Sequence, residues 1–231
     1  MSERRIQPLY LLADSQLLFW KTTKGPFLAA ICETLTGEQP NVAYIGASNG
    51  DSPEAFAILM AALEQVPYQS VQLVSAAFTQ EDRKVLEAAD VVVLAGGDVE
   101  AGWNVFKATG MREAILNCFS NGATLVGVSA GAIQLGTHAA LKTDADSSRL
   151  VEMFGLVRLI VDVHDEQNEW RTLSNTIHLL EGTMIGVGIP RGAGLVVHPD
   201  GVLEPVRQNV DEFIFNDGKV RHAILVPDLP R

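Results

Sequence analysis

Short runs of consecutive apolar residues alternate along this chain with stretches whose apolar positions recur every three or four residues. The runs predict buried strands and the spaced stretches predict amphipathic helices. A first strand is expected over Gln7–Ala13, around Tyr10, Leu11 and Leu12. Gly25-Pro26 is then expected to open a helix, with Leu28, Ile31, Cys32 and Leu35 at helical spacing. Asn41–Gly46 reads as a second strand. Ser52-Pro53-Glu54 combines a capping side chain, a proline in the first turn and an acid at the positive helix end. The helix it starts carries Phe56, Leu59, Met60 and Leu63 on one face. Val71–Val74 predicts a third strand, Gln80–Ala88 a helix, and Asp90–Leu94, with three consecutive valines, a fourth strand. Ala95-Gly-Gly-Asp98 follows, then a helical stretch, a helix at Met111–Phe119 and a strand at Thr124–Val128.

Continuous apolar strands alternating with helices predict an α/β fold, with a mostly parallel sheet covered by helices on both faces. Ligands of such sheets bind beyond the carboxyl ends of the strands. Ala95–Asp98 and Ser129 are both expected at that edge. Past Ser129 the pattern changes. Arg158–Val163 reads as a strand and Glu166–His178 as a helix. Met184–Ile189, Gly194–His198, Gly201–Val206 and Glu212–Phe215 read as short strands. Pro199-Asp200-Gly201 and Asn216-Asp217-Gly218 are hairpin signals. No repeat, low-complexity tract or linker divides the chain, so residues 1–231 are expected to form one domain.

Nearly half of the 231 residues are hydrophobic, which excludes a disordered chain. The formal charge of −11 argues against a nucleic-acid partner, which needs a basic face. Apolar runs are too short to span a membrane, and no signal-length apolar segment follows Met1-Ser-Glu-Arg-Arg5. Cys32 and Cys118, the only cysteines, each fall in a predicted helix among apolar residues and read as buried thiols. A cytoplasmic location is expected.

The candidate chemistry centres on Gly127-Val-Ser129-Ala-Gly131. It fits the nucleophile-elbow pattern and sits between a predicted strand and a predicted helix. A nucleophilic serine needs a base, an acid that orients the base, and amides that hold the oxyanion. Of the five histidines, His164 ends the strand Leu159–Val163 and can reach the edge that carries Ser129. His138 is too close along the chain, His178 sits late in a helix, and His198 and His222 lie among the hairpins. Asp144, with Asp146 in reserve, lies in the loop Lys142–Ser147 between nucleophile and base, where aspartates otherwise serve as turn residues. Gly96-Gly97 and the amide of Ala130 suit an oxyanion hole. No His/Cys/Asp cluster has metal-ligand spacing, and neither metal nor cofactor is expected.

At these residues the sequence resembles the dipeptidase E/cyanophycinase family of serine peptidases, whose fold is flavodoxin-like and related to class I glutamine amidotransferases. The resemblance runs from about Val91 to Val197. It rests on Ala95-Gly-Gly-Asp98, Gly127-Val-Ser-Ala-Gly-Ala132, Val161-Asp-Val-His164 and Gly186-Val-Gly-Ile-Pro-Arg-Gly192 in that order. It implies a three-layer flavodoxin-like fold and a hydrolase that cleaves small peptides or isopeptides through an acyl-enzyme. The implied roles are Ser129 as nucleophile, His164 as base, Asp144 as acid, and the Gly97 and Ala130 amides as oxyanion hole. Substrate contacts would fall at Gly96, Asp98, Asp162 and Arg191. Val99 follows Asp98 where cyanophycinases carry glutamine. Asp165, Glu166 and Glu169 follow the base, where those enzymes carry arginines. Arg191 stands where an acid is usual; facing the pocket, it would change the substrate charge.

Two other readings compete: a catalytically degenerate family member that binds a ligand, and an esterase-type hydrolase. An esterase would place its acid and histidine later and carry a His-Gly oxyanion loop upstream, which this chain lacks. Cysteine at 129 would have pointed to an amidotransferase. The expected partner is a small peptide, without nucleic acid or membrane, and the chain admits a homodimer.

Overall fold

The computed structural model describes residues 6–33, 39–144, 147–180, 184–216 and 219–228. Among the described residues the chain runs through β1 (Leu9–Leu12), β2 (Lys21–Thr22), β3 (Gly25–Pro26), α1 (Phe27–Glu33), β4 (Asn41–Ile45), α2 (Pro53–Leu63) and β5 (Ser70–Val74). It continues through α3 (Gln80–Glu87), β6 (Val91–Leu94), α4 (Val99–Thr109), α5 (Met111–Ser120), β7 (Thr124–Val128) and α6 (Ala130–Leu135). A hairpin of β8 (His138–Asp144) and β9 (Ser147–Glu152) follows, then β10 (Leu159–Val163), α7 (Arg171–Leu179) and β11 (Ile185–Ile189). The last strands are β12 (Gly194–Val197), β13 (Leu203–Val206), β14 (Val210–Asn216) and β15 (Lys219–Leu225).

A seven-stranded sheet runs β13-β12-β1-β7-β6-β4-β5. Its strands from β1 to β5 are parallel, and β12 and β13 add antiparallel at the β1 side. This is the flavodoxin-like order 2-1-3-4-5 for β4 to β7, with β1 in the fifth place. Alternate side chains feed two cores. Leu11, Ile45, Leu94 and Leu125 face Phe106, Met111 and Leu135, while Leu12, Tyr44, Val93 and Val126 face Leu28, Ile31 and Leu59. Helices therefore cover both faces of the sheet, which makes three layers.

Register decides what shares the functional edge. Leu12 pairs with Val128, Gly127 with Leu94, and Leu94 with Ile45. The four strands end together, so the turns that begin at Ala13, Gly46, Ala95 and Ser129 emerge side by side.

A second sheet, β10-β11-β14-β15, is mixed. One face gives Val161, Val163, Val187 and Ile189 to the first core. The other packs Ile160 and Phe213 on Leu173 and Ile177 of α7.

Several expectations are corrected. Gly25-Pro26 does not open a helix: it pairs with Lys21–Thr22 in a small hairpin, and α1 starts at Phe27. The helix expected over Glu166–His178 is split. A 3-10 turn at Glu166–Asn168 is followed by Glu169 and Trp170, both left-handed at φ 55°, and α7 starts after them. Tertiary anchoring accounts for the break, because the Trp170 indole is buried and donates to Asp211 Oδ2 at 3.0 Å. Of the segment read as a loop at Lys142–Ser147, Lys142–Asp144 end β8 and Ser147 begins β9, its antiparallel partner; residues 145–146 lie outside the described residues. The expected late hairpins are present as the antiparallel pairs β12–β13 and β14–β15, but they join different sheets: β12 and β13 join the large sheet, while β14 and β15 join β11 in the small one. β15 extends the small sheet beyond the strands expected from the pattern.

Candidate active site

Ser129 stands at the corner between β7 and α6, with φ 50° and ψ −110°. This backbone region is strained for any residue with a Cβ, and such strain concentrates at functional sites. The corner is held from three directions. The Ser129 amide donates to the Leu12 carbonyl at 2.9 Å, and the Ser129 carbonyl accepts from Ala132 and Ile133 at 2.9 and 3.2 Å. A Cβ on Gly131 would stand 2.2 Å from the Leu94 carbonyl oxygen, so the helix can approach β6 only with glycine there. The side chain of Ser129 is left half-buried at the sheet edge.

His164 reaches it from the second sheet. Its amide donates to the Ile189 carbonyl at 2.9 Å, and a positive φ of 46° turns the chain out of β10. Ser129 Oγ lies 2.9 Å from His164 Nε2. With Nε2 unprotonated, the hydroxyl donates to it, the geometry a general base requires. The Asp144 backbone ends β8 opposite Ser147. The Asp144 side chain and all of Asp146 lie outside the described residues. Among the described residues, no carboxylate is hydrogen-bonded to the other ring nitrogen of His164.

The proposed oxyanion donors flank the serine. Ala130 opens α6, where the first amides have no intrahelical acceptor. A Cβ on Gly96 would lie 3.2 Å from Ser129 Cβ, so this loop touches the nucleophile. Gly97 has φ 140° and lies against Ser48, whose carbonyl oxygen would be 2.0 Å from an added Cβ. Only glycine fits there.

Sequence reasoning missed the side chains that fix this loop. Asn49 Nδ2 donates to the Gly96 carbonyl and to the Tyr44 hydroxyl, each at 3.1 Å, and the Ser48 carbonyl accepts from Asp98 N at 2.7 Å. Gln134, fully buried, donates through Nε2 to Ser48 Oγ at 3.1 Å and to the Val99 carbonyl at 3.0 Å. One amide thus ties α6 to the start of α4 and to the Ser48 turn. The available signal was Gly46-Ala-Ser-Asn-Gly50, a small polar turn directly after a strand.

A cavity of about 320 Å³ opens beside Ser129. Its apolar wall comes mainly from Leu18, Ile58, Leu59, Val93 and Val128, and Gly96 and Ser129 stand in its lining. Among the described residues Asp14 is its only charged lining residue; Oδ1 accepts from Gln16 N and Oδ2 from Gly192 N, at 2.9 and 2.8 Å.

The other substrate-binding expectations fall elsewhere. Asp98 caps α4, accepting from Ala101 N at 2.8 Å. Arg191 is exposed on the turn after β11 and does not line the cavity. Asp162 points with Ile160 into a separate cavity of about 60 Å³, which also takes His138, Thr172 and Thr176. There Asp162 Oδ2 and His138 Nδ1 are buried without a hydrogen-bond partner among the described residues. Burial, helped by the charge of Asp165, pushes the Asp162 carboxyl up to about 6. His198 pairs with Glu204 at 2.8 Å, His222 with Asp211 at 2.5 Å, and the His178 ring meets Phe215 edge-on. Both cysteines are buried, and neither is in a disulfide among the described residues.

Among the described residues, no group of three His, Cys, Asp or Glu side chains could hold a metal ion, and no helix is long and apolar enough to cross a membrane. No curated protein matches the sequence. Among solved structures, a peptidase from an acI-B1 Actinobacterium superposes with a TM-score of 0.67 at 20% identity, covering 98% of this chain and 97% of that one. A peptidase E candidate from Listeria monocytogenes EGD-e gives 0.65 at 18% identity, covering 88% of this chain and 99% of that one. These likenesses establish the fold. Residues 9–204 match the family described as Peptidase family S51, a span that takes in the large sheet as far as the start of β13, β10 and β11 of the second sheet, and the Ser129 corner. The chain belongs to peptidase family S51 and is a serine peptidase of the dipeptidase E type.

Proposed function

We propose that the protein hydrolyses small peptides or isopeptides through an acyl-enzyme on Ser129, with His164 as general base and acid. The observation that carries this reading is the 2.9 Å approach of Ser129 Oγ to His164 Nε2 at a strained strand-to-helix corner. Ser129 Oγ bonds to the substrate carbonyl carbon as its proton passes to His164 Nε2. The tetrahedral oxyanion takes hydrogen bonds from the Gly97 and Ala130 amides. The C–N bond then breaks, and His164 returns the proton to the leaving amine. Water repeats the sequence with His164 again as base, which frees the acid and restores Ser129. Asp144 is the proposed acid behind His164.

The buried thiols of Cys32 and Cys118 fit a reducing compartment, and we place the protein in the cytoplasm on that ground. The test is turnover of a dipeptide library by the wild type and Ser129→Ala, with fluorophosphonate labelling of both. Cleavage and labelling that vanish together in the variant are expected. Labelling of an unchanged serine without cleavage of any peptide or isopeptide would move the activity to esters. No labelling at all would make the protein a binder.

A further inference from the structure

We infer that the cavity beside Ser129 is the subsite for the acyl-side residue of the substrate, and that it selects a large uncharged apolar side chain. The inference rests on the peptidase reading above and names its substrate class.

Position gives the first part. His164 must protonate the leaving amine, so the leaving group departs on the His164 side of Ser129. The cavity contains Ser129 and Gly96 in its lining but not His164. It therefore receives the part of the substrate that stays on the serine. Its volume of about 320 Å³ lies at the lower end for small-molecule sites, about 300 Å³, which suits one residue rather than an extended peptide.

Chemistry gives the second part. Leu18, Ile58 and Leu59 line the cavity together with Val93 and Val128 from the sheet. Two polar side chains of its lining, Asn49 and Tyr44, are already engaged. Asn49 donates to Tyr44 and Gly96 and accepts from Ser52 N at 3.1 Å, and burial keeps the Tyr44 phenol above its ordinary range and hence protonated. Among the described residues, no lysine, arginine or histidine lines the cavity, and Asp14 is the one charged side chain in its lining. An aspartyl side chain would have to shed its water beside a like charge with no cation to meet it. A lysyl side chain would find an Asp14 whose two oxygens already accept from backbone amides. A leucyl, methionyl or phenylalanyl side chain exchanges water for apolar walls and needs no partner. Ile58, 41% exposed, is an apolar lining residue that such a side chain would cover.

The experiment compares kcat/KM for dipeptides of one carboxyl-terminal residue, with Leu, Met, Phe, Asp, Glu, Lys or Ala at the amino terminus. Fluorophosphonate labelling of Ser129 runs in parallel. Apolar residues are expected to exceed aspartyl and lysyl ones by about 100-fold or more, within reach of a hydrophobic pocket excluding a charge. Ile58→Arg, on an exposed position that leaves the core intact, should lower the apolar preference at least tenfold and raise the relative rate for aspartyl substrates. Equal or better cleavage of aspartyl or lysyl dipeptides would overturn the apolar subsite and leave the peptidase intact. Labelling without cleavage of any dipeptide would also overturn it. If Ser129 fails to label, the underlying peptidase reading falls with it.

Discussion

Ser129 and His164 come from sheets built differently. Every residue of β1, β6 and β7 is buried, whereas β15, at the edge of the second sheet, is exposed or half-buried throughout. On the first sheet, backbone meets backbone around the serine: Leu12, Leu94 and the first turn of α6 all close on the corner. On the second, the corresponding close approach is to a side chain, since a Cβ on Gly188 would meet the Trp170 ring at 2.5 Å. Both members of the pair have left-handed backbone, but only the serine is enclosed by rigid neighbours. The difference suggests that the nucleophile is held by the sheet and the base by a layer that can give.

The largest effect expected is catalytic and should be the same on both sides. Ser129→Ala and His164→Ala should each lower kcat by about 10⁴-fold or more, and the double variant should lose no more than either alone. Additive losses in steady-state kinetics would show that the two do not act as a unit. Next, the two sheets should part company in stability. Gly131→Ala sets a Cβ against the Leu94 carbonyl and should cost about 3 kcal/mol or more, while Gly188→Ala, which the Trp170 ring can accommodate by turning, should cost about 1–2 kcal/mol. Urea unfolding of both variants checks this, and equal costs would break the comparison.

Gln134→Ala leaves the Val99 carbonyl and the Ser48 hydroxyl short of a partner in a buried place. It should cost about 2 kcal/mol. If Gln134 positions the Gly97 loop, kcat should also fall about tenfold with KM little changed, whereas a purely structural role would leave kcat alone.

The smallest effect concerns Asp162 and depends on pH. Its carboxyl, raised from 3.8 to about 6, holds a proton in the folded chain that the unfolded chain has lost across that window. Stability should therefore fall as pH rises from about 4 to about 6 and stay lower above it. Asp162→Asn should remove that loss, gaining about 1–2 kcal/mol near pH 7.5 and almost nothing near pH 4, after discounting for partial exposure. A gain that does not vary with pH, measured by denaturant midpoints, would show that its ionisation is not the cause.

Much of the first sheet was legible because its central strands β1, β6 and β7 are short, wholly buried apolar runs. Val91-Val-Val-Leu94 and Thr124–Val128 admit little else, and the strong cap at Ser52-Pro53 marks the helix after β4. The serine was legible because the corner demands a local pattern, with small residues on both sides. The β8–β9 hairpin was not legible, because its pairing is bent by an irregular register near Lys142 and lacks clean alternation. Trp170 broke an apparent helix for a reason that lies in Asp211 and Gly188, distant in sequence. Asn49 and Gln134 carry no motif, and their importance arises from what folding brings against them.

The sequence by itself determined the alternating α/β plan, the elbow at Ser129, and the small residues that the elbow and the Gly96-Gly97 loop require. These are local demands, set by backbone sterics and by burial within a few residues. The tertiary structure alone decided that the late strands divide between two sheets and that Asp162 and Arg191 stand outside the Ser129 cavity. It also decided that Leu18, Ile58 and Val93, from three separate stretches, wall that cavity. Which strand pairs with which, and what lines a pocket, depend on contacts between distant segments that no local pattern records.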